Sequence, residues 1–268
     1  MTCTYRYIDP SIGNYYISDL LLNITFGSKR IFLSVTSIKT KKNLAICNYI
    51  FPPIDVEDTN QLIDNLSKLQ ATEKILSPSI KYKNITYTVL DYRATLIPKK
   101  YFDEKEKEKY LKILFPQDKG GTVFVEKIPQ IKAVAISAIS PAYPAAISIP
   151  YGEAKYRSVY SILIQKIFTL PEKSRFATQV LLHIGDSAFE LTVKKSNKLI
   201  FINTFSYSRK SDILYYFLYT LNKLGLDMGA IAVFLCGKAR EINLLGDIKI
   251  HTYHSAYYKD NDEYLLVT

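Results

Sequence analysis

The residues best suited to chemistry lie in LLHIGDSAFELTV, where Gly185, Asp186 and Ser187 separate two alternating apolar segments. That pattern predicts a hairpin whose turn could present backbone N–H groups and a hydroxyl to an anion such as phosphate. Asp186 would repel a polyphosphate unless a cation intervened. LNITFGSKRIFLSV repeats the arrangement with Gly27 and Ser28, here followed by Lys29 and Arg30, whose charges favour an anion. A plainer reading stands beside this one, because Gly, Asp and Ser dominate hairpin turns for backbone reasons alone. CGKARE closes an apolar strand and places Gly237 and Lys238 at a further turn.

Other chemistry is sparse. His251 and His254 sit three apart in a segment read as a strand, where they point to opposite faces and make a poor metal pair. Cys236 reads as a buried strand residue, although an exposed thiol there could react. Asp91 ends an extended stretch, and one carboxylate cannot build a two-metal nuclease centre. The sequence has no GxSxG, HExxH or GxxxxGK[ST]. Tyr151, Gly152 and Glu153 read as a turn.

The elements that must position these residues form a repeat. Each hairpin is followed by a third strand, LAICNYIF (44–51) in the first copy and LIFINTF (199–205) in the second; aligned on leucines, Asn48 falls opposite Asn203. An amphipathic helix comes next. In the first copy it spans about 57–70 with Leu62, Leu66 and Leu69 at helical spacing; in the second it spans about 209–224 with Ile213, Phe217, Leu221 and Leu224, stopped by Gly225. The second copy continues with strand 231–237, a short helix near 239–245 and strand 248–253. The first continues with strand 133–140, a short segment after Pro141 and strand 154–160. Residues 80–128 read as an inserted β-α-β subdomain, extended over 85–98, helical after Asp103 and extended again over 122–129. A helix over 158–168, ended by Pro171, joins the copies. The expected domains are therefore 1–170, including the insertion, and 171–268, packed together without a Pro/Gly/Ser-rich linker.

Composition narrows the class. A chain of 268 residues with 48% apolar content can bury a substantial core. Its formal net charge of +10 is spread over both halves, with 20 Lys/Arg against 14 Asp/Glu in residues 1–150 and 15 against 11 in the rest. Nucleic-acid binding needs clustered charge, so it stands as the weakest class, and the 22 tyrosines fit half-buried positions more simply than base stacking. Three cysteines without a CxxC pair argue against disulfides or a zinc knuckle and suit a reducing, cytoplasmic location. No apolar run approaches a membrane span, and the first residues lack the pattern of a signal peptide.

The doubled three-strand, helix, strand, helix, strand plan resembles the ribonuclease-H-like halves of the actin-like ATPase superfamily. The inserted first half is similar to bacterial relatives of the cell-division and pilus-assembly branch. More narrowly, HIGDSAFELTVKKSNKLIFINTFSYSRKSDILYYFLYTLNKLGLD resembles a bacterial family of unknown function with this fold. The expected class is α/β, with two β-β-β-α-β-α-β halves.

The resemblance implies that the first strand of each half should offer an aspartate to magnesium. His183 stands there in the second copy and Asn23 in the first, and neither supplies a negative charge. It also implies two glycines at the adenosine turn. Here Lys238 follows Gly237, either filling the space or contacting a phosphate. Gly27, Ser28, Gly185, Asp186, Ser187 and Gly237 are thus candidates for a vestigial nucleotide cleft, with no catalytic or metal-binding residue among them. The expected function is a non-hydrolysing binding or scaffolding module without a cofactor, having a protein partner in the interlobe cleft or on the insertion. The alternatives are a kinase or ATPase using ATP with magnesium and a carboxylate such as Asp186 or Asp91, or a basic nucleic-acid-binding domain.

Overall fold

The structure, a computed structural model, describes residues 1–52, 58–90, 93–116, 120–170, 176–252 and 254–258. The expectations placed on Asp91, Pro171 and the start of the first long helix near residue 57 lie outside these residues. The chain forms two compact units, one from Met1–Lys127 and Ala133–Val159, the other from residues 128–132 and 160–258.

In chain order, the first part contains Thr2–Ile8 (β1), Leu20–Phe26 (β2), Arg30–Ser37 (β3), Asn43–Ile50 (β4) and helix Thr59–Thr72 (α1). Then come Asn84–Val89 (β5), Ala94–Pro98 (β6), helix Lys107–Leu114 (α2), Thr122–Ile128 (β7), Ala133–Ile139 (β8), helix Ala142–Tyr151 (α3) and Lys155–Tyr156 (β9). Six strands form one sheet in the order β1-β4-β3-β2-β5-β9, antiparallel from β1 through β2 and parallel from β2 to β9. The second part contains helix Val159–Thr169 (α4), Thr178–Ile184 (β10), Ala188–Lys195 (β11), Lys198–Ser206 (β12), helix Lys210–Lys223 (α5), Ile231–Gly237 (β13), helix Leu244–His251 (α6) and His254–Tyr257 (β14). Its sheet runs β12-β11-β10-β13-β14, with β13 and β14 parallel to β10.

Local chemistry explains the two long helices. Asp58 caps α1 by accepting from the Gln61 N–H, and α1 turns Leu62, Leu66 and Leu69 into the core that holds Leu22, Ile24 and Phe26 of β2. In α5 the Asp212 carboxylate accepts from the N–H groups of Ser208 and Arg209, which hold its carboxyl below the usual range. Ile213, Phe217 and Leu221 of α5 pack with Val180, Leu182 and Ile184 of β10. Gly225, at φ +63°, ends α5, and the Leu226 N–H closes the turn onto Leu221 O. Each such buried apolar side chain contributes about 1.5–3 kcal/mol relative to exposure.

Several expectations require correction. The fourth strand of the first sheet is β5, parallel to β2, and not 133–140. The latter segment is β8, the middle strand of a separate sheet β6-β8-β7 that packs against α2 through Leu111, Val134, Ile136 and Ala138. The extra subdomain therefore follows β5 instead of occupying 80–128, and it has three strands. An unbroken apolar run marks a strand buried on both faces wherever it lies, so AVAISAI read as a central parallel strand. The strand expected at 248–253 is helical over its first four residues, because α6 continues through Ile248 to His251, and its last residue lies outside the described ones. The alternation of Ile248 and Ile250 has the strand period, but the helix buries only Ile248 and leaves Ile250 78% exposed. Residues 238–243 form turns before α6, and the strand expected at 154–160 is confined to β9. Residues 160–170 belong to the second unit, not the first. The sequence reading contained no counterpart of β1.

Candidate functional site

The backbone hydrogen bonds of the two hairpins superpose residue on residue. The Gly27 N–H donates to Arg30 O at 2.8 Å, and the Gly185 N–H donates to Ala188 O at 2.9 Å. Phe26 O accepts from the Leu90 N–H, Ile184 O accepts from the Lys238 N–H, and both distances are 2.8 Å. A register shift follows Val35 in β3 and another follows Val193 in β11. This frame pairs Gly27 with Gly185, Val89 with Gly237 and Thr25 with His183. The leucine alignment that set Asn23 opposite His183 is two residues out, and Asn48 shares the place of Thr204 rather than Asn203. A one-residue slip reverses the face, so Asn48 and Asn203 lie on opposite faces of their sheets, and Asn203 matches the buried Cys47.

In the second unit, β10 and β11 set His183 opposite Glu190, and Nδ1 lies 2.6 Å from Oε2 with each side chain 5% exposed. Thr204 of β12 pairs with Glu190 across the sheet, and its hydroxyl donates to the Tyr160 hydroxyl of α4 at 3.3 Å. Burial pushes the Tyr160 phenol up to about 12, so it stays neutral. The His183 imidazole is thereby committed to a buried carboxylate.

The turn itself is closed by its own contacts. Besides the Gly185 N–H bond, Tyr207 donates its hydroxyl to Gly185 O at 2.7 Å, and the Tyr207 N–H donates to Ser187 O at 2.9 Å. Asp186, whose side chain is 8% exposed, receives Lys238 Nζ at 3.1 Å; Glu241 lies 3.8 Å from the same ammonium. Lys238 therefore spans from the turn after β13 to the turn after β10, joining two residues that the sequence reading treated separately. Ser187 is exposed. Gly237, at φ +66°, runs so close to β10 that an added Cβ would meet Ile184 O at 2.2 Å, so its glycine is a requirement of strand packing.

In the first unit, Asn23 donates through Nδ2 to Ser34 Oγ at 3.2 Å and accepts from the Thr86 hydroxyl, tying β2 to both neighbours. Thr25, at the place of His183, is buried, and its hydroxyl has no hydrogen-bond partner among the described residues. Gly27 is buried, Ser28 half-buried and Lys29 exposed; Arg30 is buried with its guanidinium 5.8 Å from the Phe32 ring centre.

The positions for a metal carboxylate hold Thr25 and a His183 already bound to Glu190, and the acid of the turn is neutralised by Lys238. Of the remaining expectations, His251 ends α6 and His254 begins β14, stacked 5.4 Å from the Phe176 ring. Cys236 is buried and its thiol donates to Leu182 O. Glu190 and Tyr207 had escaped notice. The first was legible, because alternation in AFELTV and a tight turn place Glu190 across from His183; the second depends on a tertiary contact that no local pattern encodes. Among the described residues no helix is long and apolar enough to cross a membrane.

Residues 14–257 match the protein family described as "Protein of unknown function (DUF3822)". No curated protein matches the sequence. Among solved structures, a Bacteroides thetaiotaomicron protein with actin-like ATPase fold and unknown function superposes with TM-score 0.76 at 18% identity, over 93% of this chain and 96% of that one. The PilM-PilN type IV pilus biogenesis complex gives TM-score 0.64 at 9% identity over 92% and 96%. Ethanolamine utilization protein EutJ from Carboxydothermus hydrogenoformans gives 0.53 at 8% over 91% and 86%. At these identities the likeness defines the fold, which is that of the actin-like ATPases.

Proposed function

This chain belongs to the DUF3822 protein family of unknown function, and we propose that it is a binding or scaffolding module that uses an actin-like ATPase fold without hydrolysing ATP. The observation carrying this reading is the Lys238–Asp186 ion pair at 3.1 Å across the second unit's turn. An ammonium and a carboxylate that satisfy each other leave little net field for a nucleotide, and separating them exposes a nearly buried acid to an incoming polyanion. The His183–Glu190 pair removes the remaining ionisable side chain from service. A protein partner is supported by the pilus complex, in which PilM is assembled with PilN. Cys3, Cys47 and Cys236 form no disulfide, which supports a cytoplasmic setting.

Titration of the full chain with fluorescently labelled ATP and magnesium tests the proposal. The expected result is no saturable binding at millimolar nucleotide and no phosphate release above the buffer rate. Tight binding with turnover that Lys238→Ala impairs would overturn it.

A further inference from the structure

In the first unit, the outer edge of β4 is covered by β1, which pairs antiparallel with it from Thr2 opposite Ile50 to Ile8 opposite Ala45. The matching edge in the second unit belongs to β12, which ends its sheet; among the described residues no strand pairs with its outer side. β12 is nine residues long and reads KLIFINTFS, without proline and with no charge after Lys198. Sheets usually protect such an edge with charges, proline or a covering element.

The flanking helices differ in the same sense. α1 and α5 both have 14 residues, and aligning their first residues sets Asp64, Asn65 and Lys68 against Tyr215, Tyr216 and Tyr219. Beside the covered edge the flank is polar. Beside β12 the rings are linked to the strand: Phe205 stacks on Tyr216 at 4.8 Å, Tyr216 meets Tyr215 at 5.3 Å, and Tyr215 stacks on Tyr219 at 5.8 Å. Tyr215 is 61% exposed, Tyr219 50% and Ile200 38%. Lys223 Nζ lies 5.5 Å from the Tyr219 ring centre and ends this shelf.

Charge indicates the occupant. In the first unit, Arg6 of β1 forms an ion pair at 2.9 Å with Glu73, the residue that ends α1. At the end of α5 the place of Glu73 is taken by Leu224, and the residue before it is the exposed Lys223. β12 itself carries Lys198 and no carboxylate; beyond it stand Arg209 and Lys210, the latter paired with Asp247 at 2.8 Å, with Asp212 in the first turn of α5. A second copy pairing β12 with β12 would bring these cations together, whereas an acidic strand would complement them.

We infer that the outer edge of β12, with the Tyr215–Tyr219–Lys223 shelf, binds an extended acidic segment of a partner polypeptide by antiparallel strand addition. Backbone hydrogen bonds along β12 hold the segment, the tyrosines cover its apolar side chains, and the exposed Lys223 at the end of the shelf receives a carboxylate. The inference rests on the binding-module reading and supplies its partner class.

The test uses the full chain and three fluorescein-labelled heptapeptides, read by fluorescence anisotropy. The first is TSTYEYI, which is β1 with serine for Cys3 and glutamate for Arg6. The second, TSTYRYI, keeps the arginine, and the third, TSPYEYI, carries proline in place of Thr4. The acidic peptide should bind saturably and about tenfold more tightly than the arginine peptide, the size of one charge-assisted contact, and the proline peptide should not bind. Lys223→Glu, an exchange at the last residue of α5, should reverse the preference, and Tyr219→Ala should weaken both. Absence of saturable binding, equal binding of all three, or indifference to Lys223→Glu overturns the inference. So does a dimer in sedimentation equilibrium that Ile200→Lys dissolves, which would assign the edge to a second copy. An ATP titration of the same preparation separates this outcome from the binding-module reading, since turnover beside peptide binding refutes only the latter.

Discussion

The two halves share a backbone frame and fill it with different chemistry. Where the first unit uses amide and hydroxyl groups, with Asn23 bridging Ser34 and Thr86 beside a buried Thr25, the second uses ionisable side chains, with His183 on Glu190 and Lys238 on Asp186. The shared hydrogen bonds of Gly27 and Gly185 show that the hairpin closes without either set. Fold and phosphate chemistry are therefore separable: strand order is preserved by backbone pairing and core packing, while the side chains at the turn are free to change.

Equivalent positions should thus respond unequally, most of all at Thr25 and His183. His183→Val leaves the Glu190 carboxylate buried without its partner and should cost about 3–5 kcal/mol in urea unfolding. His183→Val with Glu190→Leu should recover most of that loss, because removing both polar partners leaves no buried group unsatisfied. Thr25→Val removes a buried hydroxyl lacking a partner and should lie within about 1 kcal/mol of the parent, on the stabilising side. Equal losses at the two positions would break the comparison.

Gly237 and Val89 form the next pair. Gly237→Ala requires a positive φ and drives Cβ into Ile184 O, so a loss of about 3 kcal/mol is expected by thermal unfolding. Val89→Ala at the matching place only trims a core side chain and should cost about 1–2 kcal/mol. A harmless Gly237→Ala would return this glycine to the list of nucleotide-site residues.

How much of this was legible in the sequence follows from the range of each interaction. The hairpins, α1 and α5 announced themselves because period and turn chemistry are local, and the family block around Leu181 gave the fold. The register between repeats did not, since two leucines two residues apart lie on the same face and either alignment satisfies the pattern. The covering strand β1 was missed because half-exposed TCTYRYI has no apolar face to betray it, and its anchor Arg6–Glu73 joins residues far apart in sequence. The Lys238–Asp186 contact was equally hidden. Both residues had been singled out, yet only the parallel pairing of β10 with β13 brings them together.

The loop after β1 is a feature of the first unit and sharpens the contrast by pH. Hydrogen bonds from Lys42 and then Ser11 hold the Asp9 carboxyl well below the carboxylate range. A depressed folded value means that the contribution is complete above the unfolded value of about 4 and fades as pH falls below it. Asp9→Asn should flatten stability against pH between about 4 and 2 and leave it unchanged in slope near pH 7.

The smallest expected effect is chemical and distinguishes the edge strand from the cores. Cys3 lies on exposed β1, whereas Cys47 is buried in the first core and Cys236 is buried on β13. Burial first, with the nearby Glu73 charge adding to it, pushes the Cys47 thiol up to about 12, so almost none is thiolate at pH 8. Ellman's reagent should therefore modify one thiol per native chain at pH 8 and three after denaturation, and Cys3→Ser should abolish the native reaction. Reaction of Cys236 in the native protein would mean that β13 opens beside the turn, loosening the Gly237 contact on which the closed hairpin depends.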